Sequence, residues 1–97
     1  MRGYVHASDR DNLVTCVRDL KAGDRLVVDG MEITAQDDIP IYHKMAIAEI
    51  KKGEAVYKYG EVMGVASRDI HVGQWAHTHN IESTRGRGDI ARKEELA

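Results

Sequence analysis

Two histidines one residue apart, His77 and His79, close an apolar run from Ile70 to Ala76. If that run is an extended strand, residues two apart share a face and the imidazoles stand about 6.5–7 Å from each other. Such a pair can act together on a divalent metal, an anion or a proton in transit at neutral pH. Asn80 follows with an amide that can both donate and accept. The bare motif is equally compatible with two surface histidines on an edge strand, so its weight depends on its company.

The elements that must position these groups are short. A six-residue phrase recurs three times: Asp19-Leu20-Lys21-Ala22-Gly23-Asp24, Glu49-Ile50-Lys51-Lys52-Gly53-Glu54 and Asp69-Ile70-His71-Val72-Gly73-Gln74. Each reads acid, aliphatic, two spacers, Gly, polar. That order specifies a tight turn with the aliphatic side chain in the core and the glycine at positive φ, from which the chain leaves as a strand. The copies are unequally spaced, so they are a recurring turn device and not a solenoid repeat. His71 falls in a spacer and reads as an exposed turn residue.

Between the turns, 4–7, 13–17, 25–28, 31–34, 55–59 and 62–66 are β-prone. Asp29-Gly30 signals a type I′ hairpin, and Tyr59-Gly60 a second sharp bend. Residues 44–52 suit a short helix or a strand equally. Many short strands with closely spaced glycine turns predict a small, folded-over, mainly β domain. The domain is expected over 1–82, with a flexible polar tail or linker over 83–97 that has only Ile90 and Leu96 to bury.

Composition limits the function. A chain of 97 residues makes one domain with a modest core. It has no Phe and only 5% aromatic residues, so that core is aliphatic. A net charge of −2 gives no footprint for nucleic acid or an anionic membrane, and no apolar stretch approaches the roughly 20 residues of a membrane span. The N-terminus lacks the apolar run of a secretion signal. The single cysteine, Cys16, lies in an apolar run and reads as a buried, inert thiol. A cytoplasmic location is expected.

The motifs carry a resemblance. His6, Asp11-Asn12, Ile39-Pro40, His43-Lys44-Met45-Ala46, Lys58-Tyr59-Gly60-Glu61, Gly64, Gly73 and His77-Thr78-His79-Asn80, in that order, are similar to the SAF domain of the altronate dehydratase family. That family also includes galactarate dehydratases and sulfolactate sulfo-lyases. The resemblance implies a β-clip domain that accompanies a much larger catalytic part, as a fused N-terminal domain or as a separate small subunit. It further implies elimination of water or sulfite from a hydroxy acid. A divalent metal, Fe2+ or Mn2+, would be held mainly by the large subunit. A homo-oligomer is also compatible with it. A non-catalytic SAF module for binding or assembly is the other class of function.

Within that chemistry a base removes the proton beside a carboxylate and an acid or metal assists the leaving hydroxyl. His43, His77 and His79 are the candidates for proton transfer, with His77 and His79 also candidate metal ligands. Lys44 and Lys58 are the candidate anchors for an anionic hydroxy acid, with Tyr59 and Asn80 as hydrogen-bonding partners. His43, Lys44, His77 and His79 are therefore expected on one surface, with Lys58 and Tyr59 nearby. One departure stands out: Tyr42 occupies a position where the family has glycine, so it should either avoid positive φ or carry strain.

Overall fold

The computed structural model describes residues 3–83, and every regular element among them is a strand. In chain order these are β1 (Tyr4–Val5), β2 (Leu13–Cys16), β3 (Arg25–Val28), β4 (Met31–Thr34), β5 (Lys44–Ala46), β6 (Ala55–Lys58), β7 (Glu61–Ala66), β8 (Trp75–Ala76) and β9 (Ile81–Ser83). They form three antiparallel sheets, ordered β1-β2-β5-β8, β3-β4 and β6-β7-β9. This is the expected mainly β architecture. The expected tail lies outside the described residues, apart from Ser83, which ends β9.

The turn phrase explains the layout, and it occurs four times. The fourth copy is Asp38-Ile39-Pro40-Ile41-Tyr42-His43, with Tyr42 in the glycine slot. All four slots have positive φ: 97° at Gly23, 71° at Tyr42, 88° at Gly53 and 91° at Gly73. Tyr42 therefore takes the strained alternative. The last residue of each copy donates its N–H three residues back: Asp24 to Lys21, His43 to Pro40, Glu54 to Lys51 and Gln74 to His71, at 2.8–3.0 Å. The aliphatic plugs Leu20, Ile39, Ile50 and Ile70 are all buried, each stabilising the fold by about 1.5–3 kcal/mol.

The copies work in pairs. Leu20 bridges Ile39, and Ile50 bridges Ile70. Across each bridge the acids exchange caps. Asp19 accepts the Ile41 N–H and Asp38 the Ala22 N–H; Glu49 accepts the Val72 N–H and Asp69 the Lys52 N–H, all at 2.8–2.9 Å. Each pair brackets a hairpin, β3-β4 or β6-β7, whose two-residue turn has positive φ at both positions: Asp29-Gly30 and Tyr59-Gly60. That is the type I′ geometry. The chain is thus built twice over, residues 30 apart being equivalent (Asp19 and Glu49, Asp29 and Tyr59). After β7 the offset becomes 31 (Asp38 and Asp69, Tyr42 and Gly73), because β7 has a bulge: Val56 pairs Gly64 and Tyr57 pairs Val62, so Met63 is the extra residue of the bulged strand.

The strands β2 and β5 lie between the two halves, and their pleat divides the core. Val14, Cys16 and Met45 join the cluster of the first hairpin, with Leu26, Val28 and Ile33. Leu13, Ala46 and Ala76 join the second, with Val56, Ala66 and Ile70. Alternate side chains of one short strand so serve two cores. One expectation needs correction and one open alternative is settled. Residues 70–76 are not one strand: the Gly73 turn takes up 71–74 and leaves only Trp75–Ala76 to pair with β5. Residues 44–52 resolve into β5 followed by the next turn, because Lys44 and Met45 pair with both β2 and β8.

Candidate functional site

The second core ends at a polar row. Thr15 pairs Lys44 across β2-β5, and Lys44 pairs Ala76 across β5-β8, so the three side chains share a face, one pleat repeat beyond Leu13 and Ala46. Two hollows open there. One, of about 420 Å³, lies among Thr15, Tyr42, Lys44, Lys58, Tyr59, Glu61, Val62 and Met63. The other, of about 270 Å³, lies among Lys44, Met63, Ala76, His77, Thr78 and Ile81. Lys44 and Met63 line both and form the sill between them. The β7 bulge is what turns Met63 to this position.

His43 reaches the site because its turn differs from the other three. In those copies the final polar side chain accepts the N–H of the first spacer: Asp24 from Lys21, Glu54 from Lys51 and Gln74 from His71, at 2.6–2.8 Å. In the fourth copy that spacer is Pro40, which has no N–H. The side chain of residue 43 is released from capping, and its ring packs 5.0 Å from His77 and 5.4 Å from Trp75.

Trp75 organises the histidines. Its indole stacks on His77, with centroids 5.4 Å apart and planes 8° apart, and touches His79 at 5.3 Å. Its Nε1–H donates to His43 Nδ1 at 3.3 Å. An indole N–H can only donate, so His43 Nδ1 accepts, and in the neutral ring the proton sits on Nε2. Partial desolvation, followed by the neighbouring His43, His79 and Lys44, pushes the His77 pKa below its ordinary 6.5.

His77-Thr78-His79-Asn80 is a turn and not a strand end. The side-by-side spacing expected for the two imidazoles therefore does not apply; they meet through Trp75 instead. The cause is Asn80, which is 3% exposed. Its Oδ1 accepts the His77 N–H at 2.9 Å and its Nδ2 donates to the Trp75 carbonyl at 2.8 Å. Asn80 thus spends its amide on the turn that presents the histidines, a different job from the substrate contact expected of it. Among the described residues no group of three His, Cys, Asp or Glu side chains is placed to hold a metal ion. His77 and His79 alone do not make a complete metal site.

Lys58 and Tyr59 lie across the sill. Asp11, itself buried, holds their hairpin: its carboxylate accepts the Tyr59 N–H at 3.0 Å and the Gly60 N–H at 2.7 Å. Lys58 is only 5% exposed, and its Nζ sits 3.9 Å from the Tyr59 ring centroid. The Tyr59 ring is itself 71% exposed.

The structure thus brings His43, Lys44, His77 and His79 to one surface, with Lys58 and Tyr59 in the adjoining hollow. Trp75, Thr15 and Met63 belong to the same surface and escaped the sequence reading. Trp75 was legible as the one tryptophan, two residues before His77, and Thr15 as the polar residue inside the apolar run 13–17. The other two histidines and the cysteine lie elsewhere. His6 bonds the Asp29 carboxylate and the Asp11 carbonyl, and His71 is exposed and pairs with Glu49. Cys16 is fully buried, and that burial, against the pull of Arg18, pushes its thiol pKa up to about 11.

A small all-β domain with an open groove bearing lysines and imidazoles is suited to present groups to an anionic ligand, and that is the class the fold and groove define. A family model for the altronate/galactarate dehydratase SAF domain matches residues 2–84, and the chain belongs to this family. It is 36% identical over 83 residues to an altronate dehydratase of Bacillus subtilis (strain 168), over 86% of this chain and 17% of that protein. It is 33% identical over 87 residues to a (2R)-sulfolactate sulfo-lyase subunit alpha of Chromohalobacter salexigens, over 84% of this chain and 93% of the relative. A galactarate dehydratase (L-threo-forming) of Escherichia coli (strain K12) is 40% identical over 74 residues, 14% of its length. The chain therefore spans a small fraction of the dehydratases it matches. No helix among the described residues is long and apolar enough to cross a membrane.

Proposed function

We propose that this chain is the small subunit or N-terminal domain of a cytoplasmic hydroxy-acid lyase, an altronate-type dehydratase, acting with a large catalytic partner. The observation that supports this most directly is the His43–Trp75–His77 cluster beside Lys44, in a chain of the SAF family. Such a groove suits an elimination. His77, kept neutral by its surroundings, can accept the proton beside a carboxylate, and His43 can offer its Nε2 proton to a departing hydroxyl. His79 lies on the other contact of Trp75 and can relay either proton. Lys44 stands between the two hollows as a cation for the developing negative charge. The groove is open and shallow, so the second wall and the divalent metal, Fe2+ or Mn2+, belong to the partner in this reading.

The test is the His77→Ala, His79→Ala double variant in complex with the large subunit. Loss of proton transfer should lower turnover of altronate by about 10²-fold or more, with complex formation intact. Undiminished turnover would reduce the domain to an assembly module. A second reading, small subunit of a sulfolactate sulfo-lyase, is favoured by the near-complete overlap with a subunit alpha. Assaying the same complex on (2R)-sulfolactate and altronate separates the two.

A further inference from the structure

Among the described residues, two polar groups in the larger hollow have no hydrogen-bond partner: Lys58 Nζ and Thr15 Oγ1, both fully shielded from solvent. Buried polar groups are ordinarily paired, and an ammonium shielded from water without a counter-ion is costly. The Tyr59 ring compensates Lys58 only in part, since an aromatic face offers no hydrogen-bond acceptor of comparable strength. The molecule contains its own control. In the first half the equivalent of Lys58 is Val28, one residue before the same type I′ turn, buried as an ordinary core side chain. The fold at this position asks for a small aliphatic group, and the second half has a cation there instead.

The geometry points to a carboxylate subsite at Lys58 and Thr15, in which the ligand's oxygens accept from the ammonium and the hydroxyl. Lys44 adds a second positive charge and Glu61 a negative one on the same hollow. The lining therefore favours a monoanion over a dianion, and Glu61 is placed to accept from hydroxyls carried by the same ligand. The ligand class is a polyhydroxy monocarboxylate, seated with its carboxylate in the larger hollow and the remainder of its chain directed over the Lys44–Met63 sill toward His77. This ligand identity rests on the lyase reading above; the subsite rests on the two orphaned groups.

The test uses the full chain without its partner. Sodium gluconate is titrated against chloride and phosphate at matched ionic strength, following the Lys58 side-chain methylene and Thr15 methyl signals by NMR, and thermal unfolding in parallel. Gluconate should shift both signals saturably and raise the Tm, with phosphate weaker. Lys58→Met should weaken gluconate binding at least tenfold and, without ligand, should raise the Tm above the parent's, because an unpaired buried cation is gone. Thr15→Val, a β-branched isostere, should weaken binding severalfold and serves as the second variant if Lys58→Met does not fold. Absence of saturable shifts at Lys58, or unchanged gluconate binding by either folded variant, overturns the subsite. Binding at Lys58 in a chain whose His77→Ala, His79→Ala variant supports full turnover keeps the subsite and discards the catalytic reading, so the two failures are distinguishable.

Discussion

Tyr42 offers a direct test of how this fold is specified. Four equivalent turns need positive φ, and three have glycine. A non-glycine residue there costs about 1–2 kcal/mol. Replacing Tyr42 by Gly removes that cost and adds about 0.5–1 kcal/mol of lost chain entropy. The tyrosine side chain is 69% exposed, so little burial is forfeited. Tyr42→Gly should therefore stabilise the domain by about 0.5–1 kcal/mol, or raise the Tm by roughly 2–8 °C for a chain of this size. The glycine slots provide the opposite limb. A Cβ at Gly23 or Gly53 meets nothing within 4 Å among the described residues, so alanine there should cost only the backbone strain, about 1 kcal/mol. A Cβ at Gly73 would lie 2.2 Å from the Thr34 carbonyl oxygen, a backbone atom that cannot swing aside. Gly73→Ala should cost about 2–4 kcal/mol, the clash adding to the strain. Urea unfolding of the four variants at constant m-value measures the series. Destabilisation by Tyr42→Gly, or a Gly73→Ala cost no larger than that of Gly23→Ala, would refute the reasoning.

The other predictions concern the histidines and their supports. The His6 pKa is raised: desolvation opposes the charge, but the Asp11 carbonyl and the Asp29 carboxylate outweigh it, and both can only accept. Its stabilising contribution is thus full below the unfolded value near 6.5 and is lost as pH rises through the higher folded value; Asp29→Asn should flatten the fall in stability measured by urea titration across that window. The His77 pKa is lowered, so its NMR titration midpoint should lie below the ordinary value, and Lys44→Met should move it upward by removing a neighbouring cation. Trp75→Phe keeps a ring but removes the N–H on His43 Nδ1; in the complex it should alter the pH profile of turnover more than KM. Asn80→Ala should destabilise the chain by about 1–3 kcal/mol in thermal unfolding, since a buried N–H and carbonyl lose their partner.

Much of this was legible in the sequence, and the parts that were not have physical reasons. Three turns announced themselves because glycine marks the positive-φ slot, and Asp29-Gly30 marked its hairpin for the same cause. The fourth turn was hidden because Tyr42 fills the slot and Pro40 breaks the capping pattern. β9 was missed because three residues after a turn show no period; the signal was Gly64, mid-strand in β7, where a Cβ would lie 2.4 Å from the Glu82 carbonyl oxygen. The strand assignment of His77 and His79 failed because a local side-chain cap, Asn80, overrode the extended continuation of β8. Lys58 was legible as a candidate anion anchor but its burial was not, since that depends on the Tyr59 ring and on the Thr15–Lys44 row, which are tertiary.

The duplication gives the groove its clearest rationale. Where the two halves agree, the residues serve the fold: buried plugs, exchanged carboxylate caps, hairpins with both central φ positive. Where they differ, the differences gather around one groove, Lys58, Tyr59 and Met63 from the second half and Tyr42 and His43 from the first. Val28 becomes Lys58, the Asp29 that Tyr4 and His6 engage becomes the exposed Tyr59, and the regular β3-β4 ladder becomes one with Met63 bulged into the groove. At the turn the contrast is between Gln74, which caps, and His43, which Pro40 releases to meet Trp75 and His77. None of these changes improves packing. A valine is a better core residue than an unpaired lysine, a regular ladder pairs more backbone than a bulged one, and a glycine suits the slot of Tyr42 better than tyrosine. Three departures that forgo stability, at separate points in the sequence but around one groove, are hard to explain by folding alone. They are what the proposed ligand-facing surface would require, and they are read from this chain's own two halves.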